Sequence, residues 1–176
     1  MSQTLAGGPK LSRNKQERPN MRITNFLFLA ALLVFTGCSK PTVLTGDERF
    51  TTLQRYRPPV EITIVAKTDS TDLRMSYAAD QVIFNWADDK TQLRVDGGPA
   101  DGQHQAGEGY IPPGRYVTIR WKVTPTQQSI YVDGELRFVN SGDYSQIDNY
   151  VSVFPAVGSV VTVKSVTVKR LHDASQ

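Results

Sequence analysis

The sequence predicts an all-β fold: a two-sheet antiparallel β-sandwich of the jelly-roll type, preceded by a signal-peptide helix. Apolar and polar residues alternate with a period of two through most of the chain after residue 58, which is typical of half-buried strands. Short segments rich in turn-forming residues separate the alternating runs. After residue 38 no segment sustains a period near 3.6 residues, so we expect almost no helix there.

The first 38 residues have the layout of an export signal. Ten apolar residues, Phe26 to Phe35, follow the basic residue Arg22 and precede the small-residue segment Thr36-Gly37-Cys38. This apolar run is shorter than the roughly 18 residues that a membrane-spanning helix needs. Translation starts either at Met1, with a long basic n-region, or at Met21, and both alternatives remove residues 1–37 from the mature protein.

The segment Phe35-Thr36-Gly37-Cys38 resembles a bacterial lipobox, in which a Cys receives diacylglycerol before cleavage. Phe35 stands where lipoboxes usually have Leu, and it is still apolar. The resemblance implies that Cys38 is lipidated and attaches the protein to the membrane. Because Ser39 rather than Asp follows, it also implies sorting to the outer membrane of a bacterial cell envelope. An ordinary signal peptide with an incidental Cys is the alternative.

Removing the leader changes the charge balance of the protein. The whole chain has 20 basic and 17 acidic residues, a formal net charge of +3. Residues 1–38 contain five of the basic and one of the acidic residues, which leaves 15 and 16 and a net charge of about −1. A nucleic-acid partner therefore has no support from charge. Cys38 is the only cysteine, so a disulfide within the chain is excluded.

The mature chain divides into three parts. We expect residues 38–57 to form the lipidated Cys and a tether, with a candidate first strand at 49–56. Residues 58–171 form the sandwich, and 172–176 form a tail. The alternating runs of the sandwich lie at 60–67, 73–77, 82–86, 92–96, 117–123, 130–132, 136–138, 151–153 and 161–168.

Local signals add detail to this outline. Asp133-Gly134 between two apolar runs predicts a tight hairpin. The apolar parity switches in the last run, which predicts a bulge near Lys164-Ser165. Trp86 and Trp121 fall on the apolar side of their strands, so we expect both in the core. Gly97 to Gly109 is a long, Gly-rich segment, either a functional loop or a disordered surface excursion.

Two segments resemble the strand pair of concanavalin A-like lectin and laminin G-like domains: the run 114–123 (GRYVTIRWKV) and the hairpin 130–136 (IYVDGEL). The runs 66–74 and 82–86 are also similar to bacterial lectin/glucanase-like domains, and the resemblance covers roughly residues 59–171. It implies two antiparallel sheets, one of which often binds sugars. Calcium is common in such domains, and Asp96, Asp101 and Glu108 around the Gly-rich segment are weak candidate ligands, although their spacing matches no calcium loop.

Signatures of hydrolysis are missing from the mature chain. The laminarinase-like enzymes of the resembled superfamily have Glu-x-Asp-x-x-Glu on one strand, and none of the four Glu residues after Cys38 begins this motif. Asp133 and Glu135 are close in sequence, so a glycoside hydrolase with an unrecognised catalytic pair stays an alternative. No Gly-x-Ser-x-Gly motif is present, and His104 has no His partner at zinc-ligand spacing.

Glycan binding is the function that the residues favour. Sugar sites combine aromatic faces with planar polar groups. The candidate ligand-binding residues are Arg74, Asn85, Arg94 and Arg120 on the polar side of their strands, His104 in the Gly-rich segment, and Tyr110 and Tyr144 beside loops. We therefore expect a non-catalytic, lipid-anchored protein that binds glycan or another envelope component. A structural lipoprotein that docks another protein is a further alternative.

Overall fold

The alternating runs of the sequence form the two layers of the fold. The computed structural model describes residues 40–172, so the predicted signal peptide, Met21, Cys38, Ser39 and the last four residues lie outside the described range. No helix within this range is long and apolar enough to cross a membrane. The described elements are β1 (Thr42–Thr45), β2 (Phe50–Thr51), β3 (Val60–Thr68), β4 (Leu73–Ser76), β5 (Gln81–Phe84), β6 (Arg94–Asp96), a short 3-10 helix (Gly98–Ala100), β7 (Val117–Val123), β8 (Gln127–Val132), β9 (Glu135–Ser141), β10 (Ser152–Phe154) and β11 (Val160–Arg170).

These strands build two antiparallel sheets. The six-stranded sheet has the order β1-β11-β3-β7-β8-β9, and the five-stranded sheet has the order β2-β10-β4-β5-β6. Residues of β3 alternate between fully buried and half-buried, because one face of the strand packs on the opposite sheet and the other faces solvent. β7 alternates between buried and exposed residues. The predicted two-sheet antiparallel β-sandwich is confirmed.

An aromatic contact joins the two layers at the centre of the core. Trp121 of β7 is fully buried, and its ring meets the Tyr77 ring edge-on, with centroids 6.1 Å apart. Its indole N–H donates a hydrogen bond of 2.8 Å to Gln128 Oε1, which is also buried. The prediction that Trp121 is a core residue is confirmed. The same prediction for Trp86 is wrong: it follows the end of β5, is half-buried and lies outside the core cluster.

Two local predictions are confirmed by strand register. Val132 of β8 pairs with Glu135 of β9, so Asp133 and Gly134 form a two-residue hairpin loop. Both have positive φ, at 49° and 93°, as a tight antiparallel turn of this kind requires. In β11 the register with β3 shifts between Val163 and Ser165, where the sequence predicts a bulge.

The predicted tether at residues 38–57 is wrong for its described part. β1 pairs with β11 along four residues and closes one edge of the six-stranded sheet. The candidate strand at 49–56 is shorter than predicted: β2 has two residues, and Tyr56 forms a single bridge to Asn149. These strands are short and mostly exposed, so their sequence lacks the alternation that marks the longer ones.

The Gly-rich segment packs on the sandwich rather than extending away from it. Leu93 and Gln105 exchange two backbone hydrogen bonds of 2.8 and 2.9 Å, and Ala100 is fully buried. The backbone of Gly109 lies against that of Gln92, so closely that a Cβ on Gly109 would stand 2.1 Å from Gln92 backbone atoms. Glycine is therefore needed here for close approach of two chain segments.

Candidate functional site

A row of side chains crosses the outer face of the five-stranded sheet. The strand register places Phe154 beside Arg74, then Ile83, then Arg94. Ile83 is only 1% exposed, yet it does not belong to the core cluster between the sheets. Ile83 is therefore covered on its outer side as well, and the register places it between Arg74 and Arg94.

A chain of hydrogen bonds fixes these arginines. Arg74 donates from Nη2 to Asp72 Oδ1 at 2.9 Å and from Nη1 to Gln81 Oε1 at 3.2 Å. Gln81 in turn donates to Asp96 Oδ2 at 3.0 Å, and Arg94 Nε donates to the same oxygen at 2.9 Å. Arg74 and Arg94 are therefore held in one network, and their guanidinium planes are pre-positioned.

Aromatic rings support two guanidinium groups on this face. Arg49 lies over the Phe154 ring at 3.9 Å from its centroid, and Arg94 lies over the Trp86 ring at 4.5 Å. A stacked guanidinium keeps its N–H donors in its own plane, where they remain free to bind oxygen acceptors. The face thus presents ordered, planar hydrogen-bond donors next to aromatic surface.

Two cavities run over this face and meet at Arg49. The first, of about 570 Å³, is lined by residues 46–49, Arg74 and residues 154–157. The second, of about 290 Å³, is lined by Arg49 and by Tyr150, which is 43% exposed. We call the two together the sheet groove. The other residues that line its second cavity are Ser76, Tyr77, Ala79, Asp80, Asn149 and Ser152.

One donor of Arg74 has no partner within the part of the chain that the structure describes. Arg74 Nε is buried and forms no hydrogen bond there, although the other two guanidinium nitrogens are used. Buried polar groups are nearly always hydrogen-bonded, because an unmet donor costs about 1–3 kcal/mol. This nitrogen is shielded from solvent, so it is enclosed by the fold and is not part of the groove surface.

Of the residues singled out from the sequence, Arg74 and Arg94 are brought together in this face. Arg120 is not: it lies on the outer face of the six-stranded sheet, where its guanidinium stacks on the Tyr131 ring at 4.5 Å. Period-two alternation identifies the polar side of a strand but not the sheet to which that side belongs.

Two other candidates are buried, so their side chains have no surface available to a ligand. Asn85 is fully buried, and its amide exchanges two hydrogen bonds of 2.8 Å with the backbone of Ile111. Tyr144 is also fully buried, and its hydroxyl donates to Asn140 Oδ1 at 2.6 Å. Burial raises the pKa of Tyr144. Both residues serve the fold.

His104 and Tyr110 lie apart from the sheet groove. His104 is half-buried, and its Nδ1 accepts a hydrogen bond of 3.1 Å from the backbone N–H of Val95 in β6. It therefore fastens the Gly-rich segment to the edge of the sheet. Tyr110 is 47% exposed and lines a separate cavity of about 260 Å³.

The weak calcium candidates have other partners. Asp96 accepts from Arg94 and Gln81, Asp101 accepts from the Gly97 N–H at 2.6 Å, and Glu108 lies 3.6 Å from Arg137. Within residues 40–172 no three His, Cys, Asp or Glu side chains come together as a metal site would require.

The carboxylates of the β8–β9 hairpin both line the cavity that contains Tyr110. Asp133 accepts from the Thr118 N–H at 2.8 Å and from Arg115 at 3.0 Å, so each of its oxygens has a partner. Glu135 pairs with Arg137 at 3.0 Å. These contacts explain the two carboxylates as parts of the hairpin.

Sequence reasoning missed Arg49, Phe154, Tyr150 and the surface role of Trp86. Arg49 and Phe154 are more than one hundred residues apart, and only the pairing of β2 with β10 brings their segments together. Trp86 follows Asn85, whose φ of 50° interrupts the strand. The Asn-Trp dipeptide after an apolar run was the available signal, since Asn tolerates positive φ and ends strands.

Comparisons with known proteins identify the fold. No protein-family model matches the sequence, and no curated protein matches it. The structure is similar to that of Bacillus licheniformis β-glucanase, with a TM-score of 0.55, 12% identity and coverage of 75% of this chain and 78% of the other. It is also similar to the exoplasmic/lumenal domain of VIP36 in its Ca²⁺/Man-bound form, with a TM-score of 0.57, 9% identity and coverage of 78% and 80%.

A galectin, LEC-6 from Caenorhabditis elegans, has a TM-score of 0.52 and 10% identity over 73% of this chain and 96% of its own. At such identities the likeness concerns the fold and not the site. The similarity confirms the fold that the segments 114–123 and 130–136 predict: the chain has a concanavalin A-like jelly-roll fold.

Proposed function

We propose that the chain binds glycan in the sheet groove, without catalysis. The observation that supports this most directly is the meeting of two cavities at Arg49, over a floor of ordered arginines and aromatic rings. Sugars offer hydroxyl oxygens to planar donors and C–H faces to aromatic rings, and the groove supplies both kinds of partner.

The Arg74 side chain lines the first cavity, and its Nη1 and Nη2 groups are bound to Gln81 and Asp72, so its guanidinium plane has a fixed orientation there. In the second cavity, the exposed ring of Tyr150 offers a stacking surface. The structural neighbours include a Ca²⁺/Man-bound form of VIP36 and a β-glucanase, so the fold accommodates sugar ligands.

A matched pair of arginine variants tests the location of the site. Arg49→Ala removes a stacked guanidinium from the groove, and Arg120→Ala removes a stacked guanidinium from the opposite sheet. On a glycan array followed by calorimetry, we expect Arg49→Ala to weaken binding about ten- to a hundredfold and Arg120→Ala to leave it unchanged. The reverse result would move the site to the six-stranded sheet, and no glycan retained by the full chain would remove the proposal.

A reducing-end assay on the glycans that bind distinguishes binding from hydrolysis. Release of reducing ends by the full chain, lost in Asp133→Asn or Glu135→Gln, would instead favour a glycoside hydrolase that uses the hairpin carboxylates. Binding without release of product supports the lectin-like function. Retention of an envelope protein instead of any glycan would favour the structural alternative.

We also propose that Cys38 is lipidated and attaches the domain to the bacterial outer membrane. The support is the sequence alone: an apolar run, a lipobox-like segment and a single cysteine. Acyl chains contribute about 0.8 kcal/mol per buried methylene, so two or more give stable anchoring. Cys38→Ser should accumulate as unprocessed precursor and lose lipid labelling, and membrane fractionation should locate the wild type. Normal cleavage without lipid would contradict the proposal.

A further inference from the structure

A further cavity, distinct from the sheet groove and from the cavity at Tyr110, has three arginines among its seven lining residues. It has a volume of about 280 Å³ and lies where β3 begins and β11 ends. The Leu171 N–H donates to the Pro59 carbonyl at 2.9 Å and holds these two chain segments together. We call this cavity the arginine cleft. Its lining consists of Arg55, Arg57, Pro58, Pro59, Asp148, Arg170 and Leu171.

The cleft has an excess of positive charge. Three guanidinium groups and one carboxylate line it. The carboxylate, Asp148, is already used by Arg57, whose Nε and Nη2 lie 3.0 and 2.8 Å from Oδ2. Within residues 40–172, no carboxylate lies within ion-pair distance of Arg55 or Arg170. Two guanidinium charges are therefore left for a ligand.

One of these two groups is held in position. Arg55 donates from Nη1 to the backbone carbonyl of Asp148 at 3.0 Å. Its guanidinium also lies over the ring of Tyr150, at 5.2 Å from the centroid. An arginine that is fixed in this way loses less entropy when it binds an anion, and its fork matches carboxylate, sulfate or phosphate oxygens.

Chain continuity joins the cleft to the groove. Asp148 lines the cleft, and the next two residues, Asn149 and Tyr150, line the second cavity of the groove. Charge differs between the two places. In the first cavity of the groove, Arg49 and Arg74 face Asp47 and Glu48, so charges there are balanced. An anionic group is thus favoured in the cleft and neutral hydroxyls in the groove.

We infer that the ligand is an acidic glycan, with neutral sugar units in the sheet groove and a carboxylate, sulfate or phosphate substituent in the arginine cleft. This inference rests on the proposed glycan binding and names the class of glycan. An acidic oligosaccharide supplies partners for both the groove and the cleft, because its anionic substituents and its hydroxyl groups repeat along the same chain. The cleft then sets the preference for acidic over neutral sugars.

Calorimetric titration of the full chain in detergent tests this preference. The probes are oligogalacturonides, which have a carboxylate on each unit, and neutral cello-oligosaccharides of equal length, at 0.05 and 0.5 M NaCl. At low salt we expect the acidic series to bind at least about tenfold more tightly than the neutral series. At high salt this difference should decrease, because dissolved ions screen the attraction between the guanidinium groups and the anionic substituents.

Matched variants assign the preference to the cleft. Arg55→Ala/Arg170→Ala removes the two uncompensated charges and leaves the Arg57–Asp148 pair intact. Lys169→Ala is the control, because it removes a charge next to Arg170, and its pairing with Glu61 places it on the outer face of the other sheet. We expect the double variant to bind both series equally and the control to keep the wild-type preference.

Each other outcome overturns the inference. Equal affinity of the wild type for both series would refute the acidic preference while leaving the proposed glycan binding standing. If neither series binds and the glycan array is also empty, both proposals fail. Binding to phosphatidylglycerol vesicles, lost in the double variant but without binding to soluble acidic sugars, would assign the cleft to lipid headgroups instead.

Discussion

Asn85 and Ile111 form a pair of hydrogen bonds that replaces a strand partner inside the fold. Asn85 Nδ2 donates to the Ile111 carbonyl, and the Ile111 N–H donates to Asn85 Oδ1, both at 2.8 Å. The backbone of Asn85 is used as well, since its N–H donates to the Gly109 carbonyl at 2.9 Å. The side chain therefore connects the end of β5 to the end of the Gly-rich segment.

Loss of this side chain should destabilise the whole domain. Asn85→Gly leaves two buried backbone groups of Ile111 unpaired, and we expect a loss of about 2–4 kcal/mol in the free energy of unfolding. Asn85→Ala should lose about 1 kcal/mol more, because the φ of 50° disfavours a Cβ. Urea unfolding followed by tryptophan fluorescence measures both. Wild-type stability in either variant would show that the Asn85–Ile111 pair contributes nothing.

The Asp72–Arg74 ion pair should couple stability to the candidate site. The Asp72 side chain is only 3% exposed, and that of Arg74 is 25% exposed. Arg74→Met keeps an unbranched side chain at this position of β4 but leaves a buried carboxylate without its cation, so we expect a loss of about 1–3 kcal/mol. Asp72→Asn should cost less, since Asn also tolerates positive φ.

The double variant completes this test. If the ion pair is the cause, Asp72→Asn/Arg74→Met should be more stable than the sum of the two single losses predicts, by about 1 kcal/mol or more. Denaturation midpoints of the four proteins measure the coupling. Strict additivity would mean that the stem of Arg74, and not its charge, stabilises the sheet.

Features with a local cause were predictable from the sequence. Alternation predicts the long strands, because the side chains of a strand point to opposite faces. Asp133-Gly134 predicts its hairpin, because both residues adopt the positive φ that the turn needs. The bulge in β11 follows from a change of parity that only an extra residue can produce.

Features that depend on which strands meet were not predictable. Arg74 and Arg120 have the same polar setting in their strands, yet they lie on opposite faces of the sandwich. Alternation places Asn85 on the polar side of its strand, yet its side chain points inward, because the backbone of Ile111 supplies its hydrogen-bond partners. The groove itself depends on Arg49 and Phe154, whose contact arises from tertiary pairing alone.

Two glycines of the Gly-rich segment should respond very differently to alanine. A Cβ on Gly109 would overlap the Gln92 backbone, which cannot move without breaking the pairing of Leu93 with Gln105. Gly107 has a φ of 82° and open space around it, so only local backbone strain of about 1–2 kcal/mol opposes the change. We expect Gly109→Ala to lower thermal stability much more than Gly107→Ala. Equal melting temperatures would show that the segment is loosely attached.

Alkaline unfolding should depend on Tyr77. Burial, and then the negative charge of Asp148, raise the pKa of Tyr77 well above its ordinary value. As the pH rises, the phenolic proton of Tyr77 is therefore lost from the unfolded chain before it is lost from the folded one. The contribution of neutral Tyr77 to the free energy of unfolding is complete below about pH 10 and decreases at higher pH. We expect urea midpoints of the wild type to fall as the pH rises from about 10 to about 12, with a shallower fall in Tyr77→Phe.

The phenylalanine variant isolates the ionisation from the packing. It keeps the ring against Trp121 and loses only the hydroxyl, which donates to the Tyr56 carbonyl at 3.3 Å. Tyr116→Phe changes an exposed residue and should follow the wild-type curve. Absorbance at 295 nm should show the Tyr77 hydroxyl ionising only with unfolding, because a phenolate is poorly solvated in the apolar interior. Its titration together with the exposed tyrosines in the folded state would mean that water reaches this part of the core.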